Sequence, residues 1–282
     1  SRLLPHDQVF ASELIAKKFK ESGVTICLNC QVDQIDYANR VHMTVIENNN
    51  QIARLSEPIT HMLLAIGRRL DYSALGLAQA NVAVTNDGHP KLDKLNQSTT
   101  NKVIVFAGDA AKDKAFSHIA EEHARTFLNR WLNPFSGYVP RRATVPWVTF
   151  TNYQVAKFGF TRDHLDSQSR AYRVLSGNFS DDDRAYTDNY RDAEYQLYIA
   201  KDWLRREYVA GGTVVAPGAG ELVQELMLAS ELKLPLSKIR NKFYAYPTKS
   251  RFWQRVLLED QKKRLVTKQT KQILTSVFRL LN

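Results

Sequence analysis

Two apolar runs, each broken by a glycine, decide the fold: His61-Met-Leu-Leu-Ala-Ile-Gly-Arg-Arg69 and Val103-Ile-Val-Phe-Ala-Gly-Asp109. Each run predicts a short buried strand that ends at a glycine, where the backbone can approach a ligand closely. In open α/β folds, ligands lie just outside the carboxyl ends of such strands. Asp109 is therefore expected to accept hydrogen bonds from a sugar or polyol, although a Gly-Asp pair is more often only a turn.

The composition is that of an ordinary soluble globular protein, with 44% apolar and 24% charged residues. A length of 282 residues suggests about two domains, and no apolar run approaches the length of a membrane span. The net charge of +10 raises nucleic acid or an acidic surface as partners. Because no nucleic-acid motif accompanies the charge, a solvated basic face is favoured and we expect no nucleic-acid partner.

The chain has two cysteines, Cys27 and Cys30, which exclude a disulfide scaffold and fit a reducing compartment, so we expect the cytoplasm. A Cys-x-x-Cys pair at a helix N-terminus would be a redox pair, and with a second pair it would bind zinc. Here both cysteines lie in a predicted strand, Val24–Cys30, where side chains three residues apart point to opposite faces. We therefore interpret them as small buried residues and expect no metal site.

The first half of the chain is typical of an α/β domain. Apolar residues at helical spacing predict an N-terminal helix with Asp7 as its N-cap and Gly23 as its stop. The strand at Val24–Cys30, a hairpin turn at Asn48-Asn-Asn50 and a strand at Met62–Ile66 follow. We interpret this part as the second half of a dinucleotide-binding domain, because the Gly-x-Gly-x-x-Gly fingerprint that opens such a domain is absent from the sequence.

A further helix is predicted from about Ser117 to Trp131, directly after the Gly-Asp end of the second apolar run. The N–H groups of its first turn would favour an electron-rich group. His118 lies in that turn, although a lone histidine there is more often structural than catalytic.

Asparagine, proline and glycine between residues 133 and 140 mark a boundary. Beyond it the pattern predicts an antiparallel sheet with helices on one side, an α+β fold. The predicted strands are Val145–Phe150, Arg173–Leu175, Gln196–Ala200 and Tyr208–Val215, and the predicted helices are Tyr153–Lys157, Glu221–Glu231 and Leu236 to about Lys242.

The chain carries four ordered motifs: Ala65-Ile-Gly-Arg-Arg69, Val105-Phe-Ala-Gly-Asp109, Val145-Pro-Trp-Val-Thr-Phe150 and Gly220-Glu-Leu-Val-Gln-Glu225. Together they resemble the pyridine nucleotide–disulfide oxidoreductases, which include dihydrolipoamide dehydrogenase, glutathione reductase and mercuric reductase. The resemblance covers nearly the whole chain. The Arg2-Leu-Leu-Pro5 start and the Asp183-Arg-Ala185 loop look closest to the mercuric-reductase-like branch.

The resemblance implies partial Rossmann-like α/β segments followed by an α+β dimerisation domain. It implies the end of an NAD(P)-binding domain at 1–67, the returning segment of an FAD-binding domain at 68–138, a dimerisation domain at 142–252 and a basic helical tail at 253–282. The FAD fingerprint, a redox-active cysteine pair and the NAD(P) fingerprint would lie upstream of Ser1, so we expect a fragment of a longer protein.

The resemblance also implies where cofactors bind. Asp109 would hydrogen-bond the ribityl chain of FAD, and Gly67 and Arg68 would lie along the path of the nicotinamide cofactor. The residues implied to contact cofactors are Gly67, Arg68, Gly108, Asp109, Ala110 and His118. A homodimer through residues from about 145 to 250 is implied as well.

One motif departs from the family. Dihydrolipoamide dehydrogenases carry His-Pro-Thr-x-x-Glu, whose histidine reaches the partner subunit's active site as acid/base and whose glutamate orients it. Here Tyr246 stands at the histidine position and Arg251 at the glutamate position. A tyrosine, with a pKa of about 10, is a poor base at neutral pH, but it can donate a hydrogen bond. Disulfide exchange of the lipoamide type is therefore in doubt, and mercury as substrate is not supported because no cysteine pair follows.

Three functions stay open on the sequence. The first is part of an FAD- and NAD(P)H-dependent oxidoreductase that passes hydride to FAD and then to a disulfide or another acceptor. The second is a dimerisation module that, as given, is inactive and binds no FAD. The third is a basic nucleic-acid binder. Beyond Arg251 the pattern predicts a basic amphipathic helix that packs on the dimerisation domain or, alternatively, contacts an anionic membrane face.

Overall fold

The computed structural model describes residues 2–37, 41–47, 51–133, 135 and 144–266. These residues form two compact units. The first unit takes its described residues from Ser1–Asp36, His42–Ser56 and Pro146–Asn282, and the second takes them from Tyr37–Val41 and Glu57–Val145. Within the described ranges, no helix is both long enough and apolar enough to cross a bilayer.

The first unit opens with helix α1, Val9–Glu21, which confirms the predicted N-terminal helix. Its N-cap residue is Gln8 rather than Asp7. Gly23 follows the helix with a φ of 80°, a left-handed conformation that glycine adopts without steric cost, so the predicted stop is confirmed. One face of α1 packs against the sheet described below through Ala11, Leu14 and Ile15, which meet Val155 and Val215.

A three-stranded sheet in the order β1-β2-β3 follows. Its strands are β1 (Cys30–Tyr37), β2 (Val41–Glu47) and β3 (Gln51–Ile59). β1 therefore begins where the predicted strand Val24–Cys30 was expected to end. Residues 24–29 have no regular secondary structure. The hairpin turn predicted at residues 48–50 lies outside the described residues.

The two apolar runs do not form the buried strands that the sequence predicts. Residues 61–69 are exposed and without regular structure, and 92% of the surface of Ile66 is accessible. No strand of the described ranges pairs with this run, and an apolar run joins a sheet only where a neighbouring strand supplies hydrogen bonds and a second layer covers it. In the other run, Val105 forms a single bridge with Gln97, while Val103 is exposed and Phe106 is buried.

The described part of the second unit contains isolated β-bridges and one long helix. A 3-10 helix, Gly108–Ala111, precedes helix α2, Ser117–Leu132, which matches the predicted helix to within one residue. The buried residues of α2 are Ile119, His123 and Thr126. Its buried face therefore includes a histidine.

The main sheet of the first unit has five antiparallel strands in the order β4-β5-β8-β7-β6, which confirms the predicted α+β pattern. Helices cover both faces of this sheet and not one face as predicted. The strands are β4 (Trp147–Thr149), β5 (Gln154–Gly159), β6 (Tyr172–Asn178), β7 (Glu194–Lys201) and β8 (Glu207–Ala216). The helices are α3 (Arg162–Ser167), α4 (Asp183–Thr187), α5 (Ala219–Leu222), α6 (Gln224–Glu231), α7 (Leu236–Arg240) and α8 (Phe252–Leu265).

The segment Tyr153–Lys157, predicted as a short helix, belongs to strand β5 instead. This strand lies between β4 and β8, and its four middle residues are buried. A strand covered on both faces loses the polar–apolar alternation that identifies strands in a sequence. Lys157 is buried with them, and its ammonium group donates to the His6 carbonyl at 3.1 Å and lies 4.3 Å from the centre of the Trp147 ring.

Aromatic residues fill the core beside α8. The rings of Phe179 and Phe252 stack with their centres 3.7 Å apart, and the Trp253 ring meets that of Phe179 edge-on. The Trp253 indole Nε1 donates to the Leu222 carbonyl at 2.9 Å. Helix α8, which holds the described portion of the predicted tail up to residue 265, is therefore part of the core.

An ionic network joins β6, β8 and α8. Arg173 donates to Glu207 at 3.1 and 3.2 Å and to Asp260 at 2.6 and 2.9 Å, and Arg264 also contacts Glu207. Partial burial would raise the pKa of Glu207, but the hydrogen bonds from Arg173 and Arg264 outweigh it and hold the pKa below its ordinary value of 4.5. Folding therefore favours the charged carboxylate.

We expect this network to make the free energy of unfolding of the first unit decrease at low pH. Because the folded pKa of Glu207 is lowered, its contribution is complete above the ordinary value of 4.5 and is lost as the pH falls through the folded pKa. Glu207→Gln should lower the free energy of unfolding at neutral pH by roughly 1–3 kcal/mol and flatten its decline in acid. Urea unfolding followed by tryptophan fluorescence over a pH series measures both effects.

The matched control is Glu259→Gln on helix α8. Glu259 is exposed and lies 3.9 Å from Arg255, a surface ion pair of the kind that contributes little. If both variants lost the same free energy of unfolding, the network around Arg173 would contribute no more to stability than an exposed ion pair.

Candidate functional site

Arg68 and Asp109 of the second unit, 41 residues apart in sequence, lie together in the structure. The Arg68 Nη1 donates to Asp109 Oδ2 at 3.1 Å, and its Nη2 donates to the Ala115 carbonyl at 3.2 Å. Both side chains are exposed, so their ion pair is weak and both groups remain accessible. Two residues that the sequence analysis assigned to cofactor contacts therefore share one surface.

Gly108 shapes the turn that carries Asp109. It has a φ of 60°, in the left-handed region. A Cβ at this position would lie 3.1 Å from the Cβ of Ala120 on α2, closer than carbon atoms normally approach. The turn and the helix therefore pack at a distance that favours glycine. Asp109 occupies the exposed side of this close contact.

His123 fixes the same turn from helix α2. Its buried ring accepts the Gly108 N–H at Nδ1, at 3.1 Å. The ring proton of the neutral histidine therefore lies on Nε2, which faces Asp113 Oδ2 at 3.4 Å. His118, the histidine predicted to contact a cofactor, is exposed and stacks on Phe116. The helical spacing of Ile119, His123 and Thr126 is the signal that would have found the buried histidine.

The other two residues assigned to cofactor contacts are Gly67 and Ala110. Gly67 has a φ of 117°, and no atom lies within 4 Å of the position of a Cβ there, so this backbone is open to a ligand. The Ala110 carbonyl accepts the Tyr72 hydroxyl at 3.0 Å. Burial raises the pKa of Tyr72, so the hydroxyl stays protonated and holds the 3-10 helix in place.

In the first unit, Tyr246 lies at a cavity of about 220 Å³ that is lined by residues of α4, α8 and the segment before α8. The Tyr246 hydroxyl donates to Asp183 Oδ2 at 3.2 Å. The guanidinium carbon of Arg251 lies 4.8 Å from the centre of the tyrosine ring, a cation–π geometry. A tyrosine held between a carboxylate and a guanidinium can donate a hydrogen bond in a fixed direction.

The carboxylate at this cavity comes from a residue that the sequence analysis did not assign to the site. Asp183 begins helix α4 and precedes Tyr246 by 63 residues. Arg251 occupies the position where a carboxylate was expected, and it contacts the tyrosine ring rather than the hydroxyl. The carboxylate that accepts from Tyr246 therefore comes from α4 and not from the Tyr246–Arg251 segment.

Cys27 and Cys30 form a disulfide, which contradicts their interpretation as small buried residues. They are not on opposite faces of a strand, because residues 24–29 have no regular structure and Asn29 turns the chain with a φ of 55°. Cys27 is exposed and Cys30 is half-buried. The closed loop is so short that the bond stabilises the fold by only about 2 kcal/mol.

Two family models match most of the chain. Residues 145–256 match the model for the pyridine nucleotide-disulphide oxidoreductase dimerisation domain, and residues 1–125 match the model for pyridine nucleotide-disulphide oxidoreductases. The dihydrolipoyl dehydrogenase of Chlamydia pneumoniae is 23% identical over 245 residues, covering 86% of this chain and 50% of that protein. The mitochondrial dihydrolipoyl dehydrogenase of Dictyostelium discoideum is 28% identical over 190 residues, covering 67% and 38%.

Solved structures share the fold. LpdA from Mycobacterium tuberculosis superposes with a TM-score of 0.77 and 21% identity, covering 90% of this chain and 53% of that one. The HOCl-induced flavoprotein disulfide reductase RclA from Escherichia coli gives a TM-score of 0.77 at 21% identity, covering 92% and 57%. The predicted fold class, α/β segments followed by an α+β domain, is confirmed. The chain spans about half the length of the curated relatives it matches.

We expect His123→Leu to loosen the turn that carries Asp109. The change leaves the Gly108 N–H without its acceptor, and such a loss costs roughly 1–3 kcal/mol. The Gly108 amide should then exchange its hydrogen at least about tenfold faster. Hydrogen–deuterium exchange of a peptide that covers residues 106–112 measures the change.

His118→Leu is the matched control, since His118 lies on the same helix but is exposed. It should leave exchange at Gly108 unchanged. If both variants accelerated exchange equally, or neither did, His123 would not be the residue that anchors this turn.

Proposed function

Because the chain belongs to the pyridine nucleotide-disulphide oxidoreductase family, we propose that it is part of a flavoprotein that passes hydride from NAD(P)H to FAD and onward to an acceptor. The ordered match of both family models, over residues 1–125 and 145–256, carries this proposal. The family is FAD- and NAD(P)-dependent. Since the chain spans about half of its relatives, the activity is proposed for the whole protein of which it is a part.

The turn at Gly108 and Asp109 fits the sugar-like part of a flavin. Asp109 offers an accessible carboxylate, which accepts hydrogen bonds and donates none when ionised. The Gly108 amide is committed to His123, so the backbone beneath Asp109 is held in place. We propose that Asp109 accepts a hydrogen bond from the ribityl chain of FAD. The flavin supplies the hydride chemistry, and these residues bind and orient it.

We further propose that Gly67 and Arg68 lie beside the nicotinamide cofactor. The backbone at Gly67 is open, and the Arg68 guanidinium is exposed although it pairs with Asp109. The 282 residues contain no Gly-x-Gly-x-x-Gly, the fingerprint that places a pyrophosphate at a helix N-terminus. For that reason we expect this chain alone to retain no FAD.

At the Tyr246 cavity we propose a proton donor. The Tyr246 hydroxyl donates to Asp183, which orients it, and Arg251 covers the ring. When an acceptor enters the cavity, the hydroxyl would turn from Asp183 to the acceptor and give it this one proton, and a proton from solvent would then restore the tyrosine. The donor role departs from the family's histidine, which both accepts and donates protons, so we propose an acceptor whose reduction needs no base at this position.

We expect Asp109→Asn to weaken FAD binding in the protein expressed from its full reading frame. A hydrogen bond to a charged carboxylate contributes roughly 1.5–3 kcal/mol, so the dissociation constant should rise at least about tenfold. The visible absorbance band of bound flavin, followed during dialysis, measures the loss. Asp87→Asn, an exposed turn residue of the same unit, is the control and should keep its flavin.

Tyr246→Phe separates the two sites in the same preparation. It should bind flavin normally and be reduced by NAD(P)H, but it should pass electrons to the acceptor more slowly, by about 10²-fold if it is a general acid. A full-length protein without flavin absorbance would refute the proposed function. Normal acceptor reduction by Tyr246→Phe would remove only the role of the tyrosine.

We also propose that the chain forms a homodimer through the domain at residues 145–256. In this domain Phe243 is 99% exposed, Trp203 87% and Phe150 79%. Large exposed aromatic residues mark interaction surfaces, because covering them removes much apolar area from water. Phe243 lies just before Tyr246, so dimerisation would cover the approach to that cavity.

Sedimentation velocity over a concentration series tests the dimer. We expect the chain to sediment as a dimer, and Phe243→Ser to raise the dissociation constant by at least about tenfold, since buried aromatic anchors carry much of the affinity of an interface. Phe135→Ser is the matched control, because Phe135 is 96% exposed but lies in the second unit. A monomer at high concentration, or equal effects of both variants, would contradict the proposal.

A further inference from the structure

The Cys27–Cys30 disulfide lies where the connection after α1 enters β1, and it is open to solvent at Cys27. Cys27 is exposed, and so are the neighbouring residues Thr25 and Asn29. A thiol carried by a small molecule or by a protein can therefore reach the sulfur of Cys27. The chain has no cysteine besides these two, so once the bond is opened neither sulfur has another partner in the chain.

The disulfide links Cys27 of the connection to Cys30, the first residue of β1, and therefore spans only the entry to that strand. Helix α1 is attached to the sheet by other means, since Ala11, Leu14 and Ile15 are buried there. The Lys18 Nζ of this helix also forms an ion pair with Asp192 Oδ2 at 2.5 Å. Opening the disulfide leaves these attachments in place, so the bond can break and reform in the folded protein.

We propose that the Cys27–Cys30 pair is a redox site that exchanges with dithiols. A thiolate of the incoming dithiol attacks the exposed sulfur of Cys27, the bond between Cys27 and Cys30 breaks, and Cys30 leaves as a thiolate that takes up a proton. The second thiol of the dithiol then attacks the mixed disulfide and releases Cys27 as a thiol. Two electrons and two protons pass to the chain, and the dithiol leaves as a disulfide.

Dithiols are favoured over monothiols because the mixed disulfide is short-lived. Cys30 is three residues from Cys27, so it attacks the mixed disulfide at a high effective concentration and expels the incoming thiol. The second thiol of a dithiol is equally close and completes the reaction in the other direction. A monothiol has to find a second molecule for that step.

This site is independent of the proposed flavin chemistry. The exchange needs neither FAD nor NAD(P)H, and it uses none of the residues near Asp109 or Tyr246. The 282-residue chain can therefore be tested alone, and its result stands whether or not the full-length protein is a flavoprotein.

The oxidised chain is mixed with dithiothreitol, with reduced thioredoxin or with reduced glutathione at equal thiol concentration. Samples are quenched with acid, alkylated and weighed by mass spectrometry. We expect either dithiol to release two thiols per folded chain, at a rate within about tenfold of the rate in urea, and glutathione to release far fewer. Faster reduction by thioredoxin would indicate a protein dithiol, and faster reduction by dithiothreitol a small one.

Two results would overturn the proposal. One is a disulfide that opens only in urea, which would make it a structural bond. The other is a chain whose two thiols remain reduced in oxidised glutathione, which would show that the pair does not close in solution.

Single substitutions test which sulfur is attacked. Cys30→Ser should form a stable mixed disulfide with oxidised glutathione at Cys27, because the resolving thiol is gone. Cys27→Ser should react more slowly, since Cys30 is half-buried. Circular dichroism confirms that both variants fold. Equal rates for the two variants would refute the assignment of Cys27 as the attacked sulfur.

Discussion

Burial of strands β5 and β8 on both faces is the constraint on which the first unit depends. Val155 and Ala156 are neighbours in β5, yet Val155 packs with α1 while Ala156 packs with the core that α5 to α8 cover. Val215 and Val214 of β8 divide in the same way. Because side chains alternate along a strand, each face needs its own covering layer. Helix α1 therefore covers one face of the sheet, and the C-terminal helices α5 to α8 cover the other.

The same constraint explains which elements the sequence could predict. Helices α1 and α2 and the strands β7 and β8 agree with their predicted positions. In the two helices an apolar face alternates with a polar one, a pattern that a sequence displays directly. Strand β5 has no such contrast, and its sequence predicts a short helix instead. The strand predicted from residues 61–69 does not form, for a different reason. Its composition is that of a buried strand, but a strand forms only where a neighbouring strand completes its hydrogen bonds.

The sequence indicates a candidate site residue where its position in the chain marks it. It does not indicate a residue whose role depends on contacts with distant elements. Asp109 is a candidate from the sequence because a glycine and an aspartate end an apolar run just before a helix. His123 lies on the buried face of that helix, but no pattern tells which turn this face meets. Asp183 lies 63 residues before Tyr246, and their contact depends on how α4 packs against the segment before α8. The motif around Tyr246 shows arginine where the family has glutamate, but it carries no sign of the contact with Asp183.

Arg173 shows how narrow the choice of side chain becomes at such a junction. Its guanidinium meets Glu207 of β8 through Nε and Nη2 and Asp260 of α8 through Nη1 and Nη2. A lysine would keep the positive charge, but its single ammonium nitrogen cannot face two carboxylates in the planar, paired manner of a guanidinium. Position 173 therefore selects for the shape of arginine as well as its charge. At this edge of the sheet, a substitution that conserves charge is not a conservative one.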